Sequence, residues 1–173
     1  MRYPALVFLS ILCVVLPASA NQQDPLGAAV PGYGPTRAVP GAAIPPSQQF
    51  RVAFDVSVGA DKGTLNRRIE SAARFLNMHA AAGVPLENIE LAVVVHGTAS
   101  LDLTTDERYG GANANAGLVA ALQKAGVRVI MCGQSAAARG ISADDLLPGV
   151  ELALSAMTAH ALLQQAGYTL NPF

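Results

Sequence analysis

Between Phe50 and Asn171 the chain alternates short apolar runs with stretches in which apolar residues recur every three or four positions. Residues 50–58, Phe-Arg-Val-Ala-Phe-Asp-Val-Ser-Val, are rich in β-branched and aromatic types and stop at Gly59, which predicts a strand. Leu65, Ile69, Ala72, Leu76 and Ala80 keep helical spacing with Arg67, Glu70, Ser71 and Arg74 between them, and Gly83 and Pro85 end this amphipathic helix. Residues 89–95 are apolar except for Glu90, as in a strand buried on both faces, and His96-Gly97 closes the run. Residues 98–111 mix Asp102, Asp106, Glu107, Arg108 and Tyr109 without a period and read as a long solvated loop with room for one helical turn. The pattern then predicts a helix over 113–125, a strand over 127–131 and short helical pieces at 135–139 and 142–147. A strand over 150–154, a helix over 155–166 and a last strand over 168–171 complete it.

Strands that alternate with helices, through connections too long for hairpins, predict a mainly parallel sheet with helices on both faces, a three-layer α/β/α fold. Open sheets of this kind place their sites at the carboxyl ends of the strands. Those ends are Val58-Gly59, His96-Gly97 and Cys132-Gly133.

The first 46 residues have a different texture. Residues 1–20 combine Arg2, an apolar stretch from Ala5 to Leu16 and the small-residue end Ala18-Ser19-Ala20, which predicts a signal peptide cleaved after Ala20. The apolar stretch is shorter than the roughly 20 residues a spanning helix needs, so export to the periplasm without membrane insertion is expected. Cys13 leaves with that segment, and Cys132 remains as the single cysteine. Residues 21–46 hold six prolines and four glycines with no apolar periodicity, the composition of a disordered tether. The folded domain is expected over 47–173.

Composition narrows the function classes. The chain has 173 residues, 51% hydrophobic and 13% charged, enough apolar material for a real core. Its 11 Lys and Arg against 12 Asp and Glu give a net charge of −1, without the basic excess a nucleic-acid binder needs. No Gly-x-Gly-x-x-Gly follows the first strand and no phosphate-binding Gly-Lys-Ser/Thr loop occurs, so no nucleotide cofactor is expected. No pair of histidines has ligand spacing and a single cysteine cannot build a zinc site, so no metal is expected either.

Candidate chemistry gathers at Met131-Cys132-Gly133-Gln134-Ser135, where a strand gives way to a helix start. Backbone N–H groups there would stabilise a thiolate, which makes Cys132 a candidate nucleophile; the other reading is a buried cysteine that only packs. His96 ends the preceding strand and could serve Cys132 as base or ion-pair partner if the two strands are neighbours. His79 and His160 lie on predicted helices and read as surface or boundary residues. Gly133-Gln134-Ser135-Ala136-Ala137 has a superficial likeness to a nucleophile elbow, without its final glycine.

The sequence from Phe50 to Phe173 resembles the DsrE/DsrF-like family of small α/β proteins linked to sulfur metabolism. The resemblance is carried by Val93-Val-Val-His-Gly97, Asn115-Ala-Gly-Leu and Ala125-Gly-Val-Arg-Val, Met131-Cys-Gly-Gln-Ser135, Leu147-Pro-Gly-Val150 and Leu163-Gln-Gln-Ala-Gly-Tyr168. It implies a five-stranded parallel sheet between helices and assembly into homo- or hetero-oligomers. In the sulfur-relay members a cysteine after a strand carries sulfane sulfur as a persulfide to a partner protein, and Cys132 matches that position, with Gly97, Gly133, Gln134 and Ser135 around it. The relay members are cytoplasmic, whereas this chain is expected to be exported. The implied function is a periplasmic persulfide carrier without an organic cofactor, exchanging sulfur with a donor or acceptor protein. The alternative is a non-catalytic oligomeric protein that binds a small ligand or a partner's tail. A thiol-disulfide oxidoreductase would lack its Cys-x-x-Cys pair.

Overall fold

A computed structural model describes residues 28–172. The predicted signal peptide and the first part of the predicted tether lie outside the described residues. Five strands, β1 (Phe50–Val56), β2 (Ile89–Val95), β3 (Arg128–Cys132), β4 (Glu151–Ala153) and β5 (Thr169–Asn171), form one parallel sheet in the order β4-β3-β2-β1-β5. The connections carry α1 (Arg67–Ala81), α2 (Asp106–Tyr109), α3 (Ala116–Lys124), α4 (Gly133–Ala138) and α5 (Ala156–Gln165). Among the described residues, no helix is long and apolar enough to cross a membrane.

The layers follow from the order. From β1 to β4 the chain steps one strand at a time in one direction, so right-handed crossovers put the intervening helices on one face. To reach β5 it must pass back beyond β1, and the same handedness sends α5 to the opposite face. The pleat obeys this division: Phe54, Val56, Val93, Val95, Val129 and Met131 join Ile69, Leu76, Leu118 and Leu122 in the larger core. Ala53, Ala92, Val94 and Ile130 point the other way, against Ala159 and Leu163 of α5. The result is the three-layer α/β/α sandwich with unequal layers.

One consequence positions the site. β3 and β4 are neighbours, yet β3 leads into α4 on one face and β4 into α5 on the other. Divergence of two adjacent connections at the carboxyl ends of β3 and β4 marks the topological position at which open parallel sheets bind ligands.

Three readings of the sequence change. Residues 28–36 of the proline-rich segment are not free: Val30 is fully buried in the larger core, and the Asn77 side chain accepts from the Val30 N–H at 2.8 Å and donates to the Tyr33 carbonyl at 2.8 Å. Asn77 and Glu70 are two helical turns apart on α1, and the Glu70 carboxylate accepts from the Gly34 N–H, so this polar stripe straps residues 28–36 to the helix. Gly34 fits because a Cβ there would lie 2.2 Å from the Arg74 nitrogen. His79 is buried rather than at the surface, stacked on Phe75 at 3.9 Å with Nδ1 facing the Phe75 carbonyl at 2.8 Å. The segment expected to be a solvated loop forms a 3₁₀ helix, Gly97–Leu103, and α2, and Asp102 is buried within it. The Asp102 carboxylate accepts from the Asn66 amide at 2.7 Å and the Ala60 N–H at 3.0 Å, tying this segment to the loop before α1.

Candidate functional site

On the α5 face β1, β2 and β3 carry apolar residues at their centres and a charged residue at their amino ends. β1 presents Arg51, Ala53 and Asp55; β2 presents Glu90, Ala92 and Val94; β3 presents Arg128, Ile130 and Cys132. At the amino ends Arg51 pairs with Glu90 at 2.9 Å and Arg128 with Glu151 at 2.7 Å. These half-exposed cross-strand pairs are worth at most about 1 kcal/mol each. The carboxyl ends hold Asp55, His96 and Cys132.

His96 keeps extended backbone angles and donates its N–H to the Val56 carbonyl at 2.9 Å, so it prolongs β2 by one residue on the Val94 face. Val95 pairs with Met131, which brings His96 and Cys132 abreast on neighbouring strands. The two strands are thus neighbours, the condition on which a role for His96 beside Cys132 depends. The Nε2 of His96, however, is held by the Asp55 carboxylate at 3.1 and 3.3 Å. A second imidazole joins it: His160 of α5 sits on the rim of the helix face that buries Ala159 and Leu163, with Nε2 2.8 Å from Asp55 Oδ1. Burial opposes ionisation of Asp55, but the hydrogen bonds and charges of His160 and His96 outweigh it and hold the carboxyl below its ordinary value.

Cys132 ends β3 where the two connections diverge and is 4% exposed. Burial pushes its thiol up, but the Ser135 hydroxyl and the N–H groups of Ser135, Ala156 and Gln134 outweigh burial and hold the thiol below its ordinary value. Two of those N–H groups open α4 and the third opens α5, so the donors come from both sides of the switch point. Ser135 Oγ accepts the Gly97 N–H at 3.1 Å, which leaves its own proton free to donate to the sulfur. Ser135 thus faces the thiol, and Cys132 is the residue at the strand-to-helix turn.

The two candidate glycines act through the backbone. Gly97 has φ 56°, and a Cβ on it would lie 2.5 Å from the Ser57 carbonyl oxygen. Gly133 has the Ala153 and Leu154 carbonyl oxygens 2.5 and 3.1 Å from where a Cβ would stand, so the start of α4 closes directly on the end of β4. Gln134 supplies its N–H while its side chain is exposed. Among the described residues, no group of three or more His, Cys, Asp or Glu side chains is arranged to hold a metal ion.

The profile of the DsrE/DsrF-like family matches residues 51–172, which spans every strand of the sheet and the Cys132 site. The chain belongs to the DsrE/DsrF-like family. Two solved structures share its fold. The protein of unknown function MTH1491 from Methanobacterium thermoautotrophicum is 25% identical with a TM-score of 0.57, covering 72% of this chain and 100% of its own. The ychN protein from E. coli is 19% identical with a TM-score of 0.54 and the same coverage. No curated protein matches the sequence. In this DsrE-like domain Asp55 and His160 are the residues that sequence reading missed. Asp55 had one signal, a carboxylate near the carboxyl end of a strand that is apolar apart from Arg51 at its other end. His160 had none, because its partner lies 105 residues away.

Proposed function

We propose that this DsrE-like protein accepts sulfane sulfur on Cys132 and hands it on as a persulfide, acting in the periplasm as an oligomer. The observation that carries the reading is the Cys132 thiol, held below its ordinary value by donors from two helix starts at the carboxyl ends of β3 and β4. A thiolate is the form that attacks sulfur. In the loading step the Cys132 thiolate attacks the outer sulfur of a donor R–S–SH. The new Cys132 S–S bond forms, the donor S–S bond breaks, and R–S⁻ leaves with the bonding pair. The transferred sulfur keeps its proton, and no external oxidant is needed. Delivery to an acceptor thiolate is the same exchange in reverse.

The rival reading, a non-catalytic oligomeric binding protein in which Cys132 only packs, draws on the 4% exposure of that residue. Native-state alkylation separates the two. A carrier thiolate reacts with iodoacetamide in the folded protein at neutral pH at least as fast as a free thiol, and a packing cysteine reacts only after denaturation.

A further inference from the structure

Outside the Cys132 site, cationic side chains gather along α1. A cavity of about 320 Å³ lies between this helix and the chain that precedes β1, lined by Arg67, Arg74 and Met78 of α1 and by Pro35, Thr36 and Arg37. Residues 67, 74 and 78 share one helical face, with Arg67 and Arg74 two turns or about 10 Å apart. Small-molecule sites begin at about this volume, near 300 Å³.

Three guanidinium groups share one carboxylate there. The buried Glu70 accepts from Arg67 at 2.9 Å, has Arg74 at 3.7 Å, and takes the Gly34 N–H on its other oxygen. One arginine is enough to compensate a buried carboxylate, so the cluster keeps two positive charges in excess. Arg74 is held in place by the Pro35 carbonyl, which accepts from its Nε at 3.3 Å. The Arg37 side chain is exposed and makes no hydrogen bond or ion pair among the described residues, and neither does the Thr36 hydroxyl. Most guanidinium N–H donors of the cluster are therefore unused.

Two further features set the cluster apart from an ordinary solvated face. Arg67 and Arg68 occupy the first turn of α1, at the positive end of the helix dipole, where cations are unfavourable unless an anion offsets them. The segment that brings Pro35, Thr36 and Arg37 to the helix is also anchored from inside, by the hydrogen bonds of Asn77 and Glu70 to residues 30–34. One wall of the cavity is thus fixed by buried groups.

We infer that this cavity binds a phosphate group, free or as the monoester of a small molecule. The excess of two positive charges matches the charge of about −1.5 to −2 that a phosphate monoester carries at neutral pH. Arginine is permanently charged, and its planar fork takes two phosphate oxygens at once. Met78, 44% exposed, and Pro35 give the cavity an apolar wall for the body of an ester.

The test is isothermal titration calorimetry of the full chain at low, fixed ionic strength, with inorganic phosphate and phenyl phosphate as probes. The wild type should bind one equivalent of at least one probe saturably. Arg37→Gln, a change at an exposed side chain with no partner to lose, should weaken that binding about tenfold, the size of one charge-assisted hydrogen bond. Tighter binding of phenyl phosphate assigns the site to a monoester, and equal or tighter binding of inorganic phosphate assigns it to the free ion. No saturable uptake of either probe, or uptake that Arg37→Gln leaves unchanged, overturns the inference, and the arginines then serve Glu70 and solvent alone.

Discussion

Ser135 has one hydroxyl proton, and the Gly97 N–H already occupies one of its lone pairs at 3.1 Å. That arrangement aims the proton at Cys132, so Ser135→Ala removes a donor that favours the thiolate. A hydrogen bond to a charged group is worth about 1.5–3 kcal/mol, so the thiol should rise, with about ten- to a hundredfold less thiolate at neutral pH. The pH dependence of iodoacetamide alkylation measures it; an unchanged profile would mean that the hydroxyl does not donate to sulfur. Gly97→Ala acts on the same contact through the backbone, since its φ of 56° and the Ser57 oxygen leave no place for a Cβ. A loss of about 1–3 kcal/mol in urea unfolding is expected, the usual range for one strained residue. Asp55 and Asp102 respond to acid with opposite signs. Asp55 is held down, so its stabilisation is present above the ordinary carboxylate value near 4 and disappears as pH falls through the lowered one. Asp102 is pushed up by burial, so its contribution is full at low pH and fades as pH rises through the raised value. Urea midpoints followed against pH should therefore lose part of their acid dependence in Asp55→Asn. At this scale Cys132 and His96 were legible because each closes an apolar run at a glycine. Asp55 and His160 become a pair only when β5 and α5 fold back across the sheet.

Among the elements, the strap on α1 depends on one amide. Asn77 accepts from Val30 and donates to the Val30, Tyr33 and Gly34 carbonyls from a buried position. Asn77→Ala leaves a buried N–H and three carbonyls without that partner, and a destabilisation of about 2–4 kcal/mol is expected from groups costing about 1–3 kcal/mol each. Hydrogen exchange should accelerate at residues 28–36 first, ahead of the sheet; uniform acceleration would place Asn77 in the global core instead. Strands and long helices were legible because apolar burial dictates their period. Residues 98–111 were not, because Asp102, Asn66, Asn113 and Asn115 hold that region through side-chain hydrogen bonds that leave no periodicity in the sequence. The strap hid for a related reason. Proline and glycine content described its backbone freedom, while the groups that tie it down belong to α1.

The whole molecule is lopsided. Three helices, α1, α3 and α4, cover one face and α5 alone covers the other, so apolar residues remain outside: Leu154 is 73% exposed and Met157 80%, with Leu162 and Leu170 also exposed. In an oligomer built through the α5 side these residues would be covered, beside Cys132. Met157→Glu should then shift the protein toward monomer in light scattering at micromolar concentration, and a wild type that is already monomeric there would refute assembly. Family and layer order were legible from the sequence as a whole, since strand and helix runs alternate over its folded length. The inequality of the layers was not, because it comes from the return of the chain past β1 to β5. The sulfur-carrying role is tested most directly by intact mass spectrometry of the full chain after exposure to a small-molecule persulfide donor. The wild type should gain the mass of one sulfur atom, located on Cys132 by peptide mapping and removed by a reducing thiol. A wild type that gains no sulfur, or a Cys132→Ser variant that gains as much, would contradict it.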